Sequence, residues 1–221
     1  MKKPTFGKRA KGFTLVELMV CIVIVICLAA MVFALTRNAM AKSKMTASST
    51  KVRDLGVRVQ AYTQDNAGQL PVWKDSGQDL FWWGQLMKDP RNESEYEMFH
   101  SPGHDEFKPG PSNPNLSYGW NAHVVGRTEA VEGGGGADSD GPKRLANFKE
   151  PARILVLADG PKKNPEAIID SNSTPDKDRY NGKAAGLLLD GSARALDVDK
   201  EFKGGQSVWL MTEDEREAQG K

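Results

Sequence analysis

Cysteine is scarce in this chain, and its placement is informative. Both cysteines among the 221 residues, Cys21 and Cys27, fall in one apolar run. Everything after that run is thiol-free, which excludes a disulfide framework and any cysteine-built metal or redox site there. The two thiols read as small apolar packing residues. Proline is missing between Pro4 and Pro71, so no ring interrupts a helix over that stretch. Charge is missing from Leu18 to Leu35, eighteen residues that also lack proline and glycine. That length crosses a bilayer core as a helix. Eleven of the eighteen are Leu, Ile, Val or Phe, and together they favour membrane entry by about 3–7 kcal/mol. A basic excess is lacking too: 30 Lys and Arg stand against 29 Asp and Glu. Nucleic acid, which calls for a basic face, is therefore not an expected partner.

At the front of the apolar run stands Lys11-Gly12-Phe13-Thr14-Leu15-Val16-Glu17. A carboxylate at the edge of lipid is costly and needs a partner. Lys2, Lys3, Lys8, Arg9 and Lys11 precede the run; Arg37, Lys42, Lys44, Lys51 and Arg53 follow it. The positive-inside count is a tie, and only the denser leader favours a cytoplasmic N-terminus. Removing residues 1–12 leaves 25 basic against 29 acidic residues, a net charge of −4. A secretory signal would have an apolar region of 7–15 residues and a small-x-small site. Ala39-Met40-Ala41 could supply that site, but the run is longer and a glutamate at its entrance is out of place. A lipoprotein reading fails at Cys27, which follows Ile26 where a small residue is needed. A plain single-pass anchor stays open.

Gly12-Phe13-Thr14-Leu15-Val16-Glu17 with its apolar run resembles the processing site of type IV pilins and type II secretion pseudopilins. The resemblance implies a leader, residues 1–12, removed after Gly12 by a prepilin peptidase, with N-methylation of the new N-terminus at Phe13. It implies residence in the inner membrane with an extracytoplasmic head. Assembly with copies of itself and other pilin-like subunits then follows, on an inner-membrane platform, into a periplasmic or surface filament whose outward-facing head could contact exported cargo or neighbouring subunits. Glu17, at the fifth mature position, is expected to meet the terminal amine of a neighbouring subunit. Electrostatics supports this independently, because an amine and a carboxylate in a low-dielectric core attract strongly and losing either strands the other. The implied role is structural, not enzymatic.

The predicted fold class is α+β: one long N-terminal helix whose second half packs on a small antiparallel sheet. Residues 13–35 form the membrane or filament-core part. Residues 36–66 continue it, with Val52, Leu55, Val59 and Tyr62 at helical spacing on one face. Helix over 13–66 spans about 80 Å at 1.5 Å per residue, and Gly56 is its weak point. Asp65-Asn66-Ala67-Gly68-Gln69-Leu70-Pro71 stops it, and Tyr62, Asp65, Gly68 and Pro71 resemble the helix exit of pseudopilins. In the head, residues 67–221, Asp79–Met87 reads as a short apolar segment with helical character. His100–Asn115 reads as an ordered loop. Ser117–Asn121 is expected to open a strand running to Val125, and Glu132–Pro142 to form a surface loop. Ile154–Ala158 is the cleanest strand. Ala184–Leu189 is another; it turns at Asp190-Gly191 with both turn residues expected at positive φ, and returns to Val198. Three antiparallel strands against the half-helix would close a core.

Arg179-Tyr180-Asn181-Gly182 followed by Leu187-Leu188-Leu189-Asp190-Gly191 is similar to the H-x9-DG signature of a branch of large pilin-like proteins, with Tyr180 standing in the histidine position. Asp170, Asn172, Asp176 and Asp178 form an acid-rich loop whose hard oxygens suit calcium, as the calcium loops of major pseudopilins also imply. A solvated Asp/Asn turn accounts for the same composition, and no other cofactor is expected. His100 and His104 lie four apart, but Pro102 and Gly103 between them argue against the helix that zinc spacing needs. The five tryptophans fit core or interface packing better than a sugar platform. The alternative to a filament subunit is a membrane-anchored extracytoplasmic domain that binds carbohydrate or calcium and does not polymerise.

Overall fold

The computed structural model describes residues 13–110, 114–126, 142–205 and 207–221. The leader with Gly12 and nearly all of the glycine-rich Glu132–Pro142 segment lie outside the described residues. The chain divides into two compact units, residues 1–40 and 41–221.

Helix α1 runs Leu15–Asp65, one residue short of its expected end. Its apolar half is long and apolar enough to cross a membrane. There Leu18, Ile22, Ile26 and Phe33 are all exposed in the isolated chain, so a protein or lipid environment has to cover them. From residue 41 on, the helix belongs to the second unit. Val52, Leu55 and Val59 are buried. The buried face extends to Ser48 and Thr63, while Tyr62 is only half-buried. Thr63 Oγ1 is satisfied by the Val59 carbonyl at 2.7 Å.

The long helix is followed by a small ribbon, β1 (Lys74–Asp75) paired with β2 (Leu80–Phe81). Asp75 Oδ1 closes its turn by accepting from Gly77 N. The Asp79–Met87 segment therefore begins as strand and becomes helical only at α2 (Trp82–Gln85). A 3₁₀ helix spans Glu93–Phe99.

The main sheet has four antiparallel strands, one more than expected, in the order β3 (Tyr118–Trp120), β4 (Leu155–Asp159), β5 (Lys183–Leu188) and β6 (Ala193–Asp197). The expected extension of β3 to Val125 is corrected: Ala122–Val125 is a helical turn, α3. Asn121 turns the chain there. Its Nδ2 donates to the Leu155 and Trp209 carbonyls at 2.9 Å each. Its own carbonyl accepts from Val124 N and Val125 N. The Asp-Gly turn also differs. Gly191 N donates to Leu188 O and Leu188 N to Ser192 O, both at 2.9 Å. This makes a three-residue loop in which Gly191 takes positive φ and Asp190 does not. Asp190 instead accepts from Ser192 N and Oγ.

Tyr118, Trp120, Leu157, Ala185 and Leu187 share a core with the helix residues Val52, Leu55 and Val59. Leu155, Ala158, Ala184, Leu188 and Leu196 cluster instead with Val198, Phe202 and Trp209 of the C-terminal segment. That segment carries α4 (Val198–Glu201) and α5 (Glu213–Ala218). Covered on both sides, β4 is buried along its whole length, as its unbroken apolar run requires.

Candidate functional site

Thr14 and Glu17 hold each other at the start of α1. Thr14 N and Oγ1 donate to Glu17 Oε2 at 2.9 and 2.8 Å, and Glu17 N donates to Thr14 Oγ1 at 3.2 Å. This is a capping box, which satisfies backbone donors that no turn of helix precedes. Glu17 thus has a second role besides that of partner for an amine, and the Thr-x-x-Glu spacing of residues 14–17 is the sequence signal for it. The cap supplies dipoles, not a cation: among the described residues no ion pair reaches Glu17. Phe13, just before the cap, is exposed.

A second constellation lies buried between helix and sheet. Ser48 Oγ donates to Asp159 Oδ1 at 3.1 Å and shares a 3.1 Å hydrogen bond with Tyr118 Oη. Asp159 also accepts from Ala185 N at 2.6 Å and from Arg179 Nη1 at 3.3 Å. The Asp159 and Arg179 side chains are each 1% exposed. Arg179 Nη1 further donates to the Ser117 carbonyl at 3.0 Å. Tyr180, in the histidine position of the H-x9-DG resemblance, is buried, and its hydroxyl meets Ser101 Oγ. Burial pushes the Asp159 carboxyl above the usual carboxylate range, against the pull of the Arg179 guanidinium and the Ala185 amide. Burial, reinforced by Asp159, likewise raises Tyr118 well above its ordinary value and Tyr180 to about 12. Both phenols stay protonated and able to donate. Sequence reasoning does not pair Ser48 with Asp159; a lone serine in a buried helical stripe is the available signal.

The acid-rich loop is split. Asp170 Oδ1 accepts from Asn172 N and Ser173 N at 2.8 and 2.7 Å, and Asp176 Oδ1 accepts from Asp178 N at 2.9 Å. Asp170 and Asn172 line one cavity with His123 and Glu215, whereas Asp176 and Asp178 line another with Asp199. Among the described residues no three His, Cys, Asp or Glu side chains gather for a metal. Asp159, at the end of β4, goes to the buried centre and Asp190 to the hairpin turn. His104 is buried, with Nδ1 on Ser117 Oγ and Nε2 on the Lys162 carbonyl. Desolvation lowers its pKa, only partly offset by the Lys162 carbonyl. His123 sits on α3, not on a strand, and bonds Glu215 at 3.1 Å. Trp82, Trp83, Trp120 and Trp209 are buried and Trp73 is half-buried, which places the tryptophans in core packing.

An apolar helix with exposed flanks, a capped acid at its first turn and an α+β head fit a membrane-anchored protein. Comparison with protein families makes the N-terminal part specific: residues 7–33 match the Prokaryotic N-terminal methylation motif. The chain thus carries a type IV pilin-like prepilin signal, which supports a pilin-like or pseudopilin-type subunit. The match ends at residue 33 and does not extend to the head. No curated protein and no solved structure matches the chain.

Proposed function

We propose that this chain is a structural subunit of a type IV pilus-like filament, a type II secretion pseudopilus above all, with no catalysis of its own. A prepilin peptidase cleaves after Gly12 and Phe13 is N-methylated. The mature subunit waits in the inner membrane with its head on the extracytoplasmic side. An assembly platform then moves it among copies of itself and other pilin-like subunits, where the head can meet exported cargo.

The observation that carries this reading is the coincidence of the methylation motif with Glu17 at the first turn of an apolar, uncovered helix. Transfer from lipid to a helix bundle costs little hydrophobic energy, because both surroundings are apolar. What changes is the charge. In lipid, Glu17 is held by Thr14 at the helix start; in a filament, the amine of a neighbouring Phe13 compensates it. The bond is worth most where water is absent.

Mass spectrometry of the protein from its native membrane tests the processing step, with a peptide beginning at methylated Phe13 as the expected result. Glu17→Ala should leave cleavage intact and abolish or strongly reduce filaments. Replacing Gly12 with a larger residue should block cleavage. An intact Met1, or a start at Lys42, would replace this reading with that of an anchored or secreted binding domain. Normal filaments from the Glu17 variant would remove the proposed role of the acid.

A further inference from the structure

The geometry points to a clasp: residues 179–191, acting through Asp159 and Ser101, grip the second half of α1 with Ser48 as the catch, and approach it closely again at Gly56 and Gln60. The clasp belongs to the folded head alone and does not depend on whether the subunit polymerises.

Three contacts follow one another along the helix. At Ser48, the Asp159 carboxylate joins the helix hydroxyl to Ala185 N of β5 and to Arg179 just before β5. Ser101 Oγ donates to Ser48 Oγ at 3.3 Å and also meets Tyr180 Oη, so Tyr180 reaches the same point from the other side. Two turns on, Gly56 faces Leu187: a Cβ there would stand 2.7 Å from Leu187 Cδ1. One turn further, Gly191 faces Gln60, where a Cβ would stand 2.5 Å from Nε2. Ser48 to Gln60 is about 18 Å of helix at 1.5 Å per residue, and the strand and its turn follow that length in the same order. Gly103 completes the enclosure. A Cβ there would lie 2.6 Å from both Arg179 Cγ and Tyr180 Cε1, so only glycine lets the 101–104 loop close over the centre.

The catch supplies what the apolar stripe lacks. Val52, Leu55 and Val59 present similar aliphatic surface at each turn, and non-directional packing discriminates weakly between registers one turn apart. A serine hydroxyl opposite a buried carboxylate discriminates strongly. Displaced by one turn, Asp159 and Tyr118 would lose a partner in a place where water cannot replace it. Tyr180, ten residues before the Asp-Gly turn, thus acts as a positioning residue.

The test uses the full chain in detergent micelles, with hydrogen exchange of helix peptides covering residues 41–52 and of β4 peptides as a global reference. Ser48→Ala and Tyr180→Phe should each speed exchange in residues 41–52 on the order of tenfold, the size expected for one lost buried hydrogen bond, with β4 much less affected. The double variant should fall short of the product of the singles, because the two act through one network. Arg53→Lys, on the exposed side of the same helix, should change nothing. If either single variant fails to fold, Ser101→Ala takes its place, with the same local effect expected. Unchanged exchange in residues 41–52, equal acceleration in helix and β4, or effects that simply multiply would each overturn the clasp.

Discussion

Among the described glycines of the sheet, Gly119 on β3 is the most closely approached. A Cβ there would sit 2.6 Å from both the carbonyl carbon and oxygen of Ile168, backbone atoms that cannot rotate away. Gly119→Ala should cost about 1–3 kcal/mol of stability, the usual range for overpacking a core, and a denaturant midpoint measures it. Gly204, where a Cβ would have no neighbour within 4 Å, offers a reference in which only its positive φ is strained. The same scale shows what a sequence conceals. Thr14-x-x-Glu17 is readable as a capping box from its spacing alone, and Glu17 as an acid needing a partner. Ser48 and Asp159 are not readable as a pair, because 111 residues separate them and neither residue type is unusual where it stands.

At the level of elements, α5 carries the same N-terminal device as α1. Thr212 Oγ1 accepts from Glu215 N, and Glu215 Oε2 accepts from Thr212 N at 2.7 Å. Thr212→Ala should weaken the docked C-terminal turn by about 0.5–2 kcal/mol, seen as faster amide exchange in residues 213–218. Acid should do the same. The Thr212 amide, and after it the His123 ring, hold the Glu215 carboxyl below its ordinary value. A depressed acid contributes stability that is present above its unfolded pKa and disappears as pH falls through the folded value. Protection of α5 should therefore decline on the acid side of the usual carboxylate range, and unchanged protection there would show that the box contributes nothing. Elements follow from sequence where one influence acts alone. The Ile154–Ala158 run is visible because burial on both faces leaves no polar alternation. Ala122–Val125 reads wrongly as strand because its β-branched composition competes with a tertiary anchor, the Asn121 amide held by Leu155 and Trp209.

Over the whole molecule, exposed apolar surface is unevenly shared. Among the described residues, most of the exposed large hydrophobics lie between Phe13 and Met40, whereas the second unit exposes only Val57, Leu145 and Val208. A chain beginning at Ala41 should therefore stay in solution without detergent and unfold in a single cooperative step, followed by circular dichroism. Aggregation, or loss of the sheet signal, would mean that the head depends on the apolar half for its own fold. The amino-acid sequence by itself determined the anchor, the processing signal and the long helix, because hydropathy, capping and the absence of proline act through neighbours in the chain. It also determined the α+β class and the main strands. Tertiary structure alone decided that β3 joins as a fourth strand, that the C-terminal segment covers the second sheet face, that the acid-rich loop divides between two cavities, and that Ser48 meets Asp159. Those outcomes depend on desolvation and on directional bonds between distant residues, which no local pattern encodes.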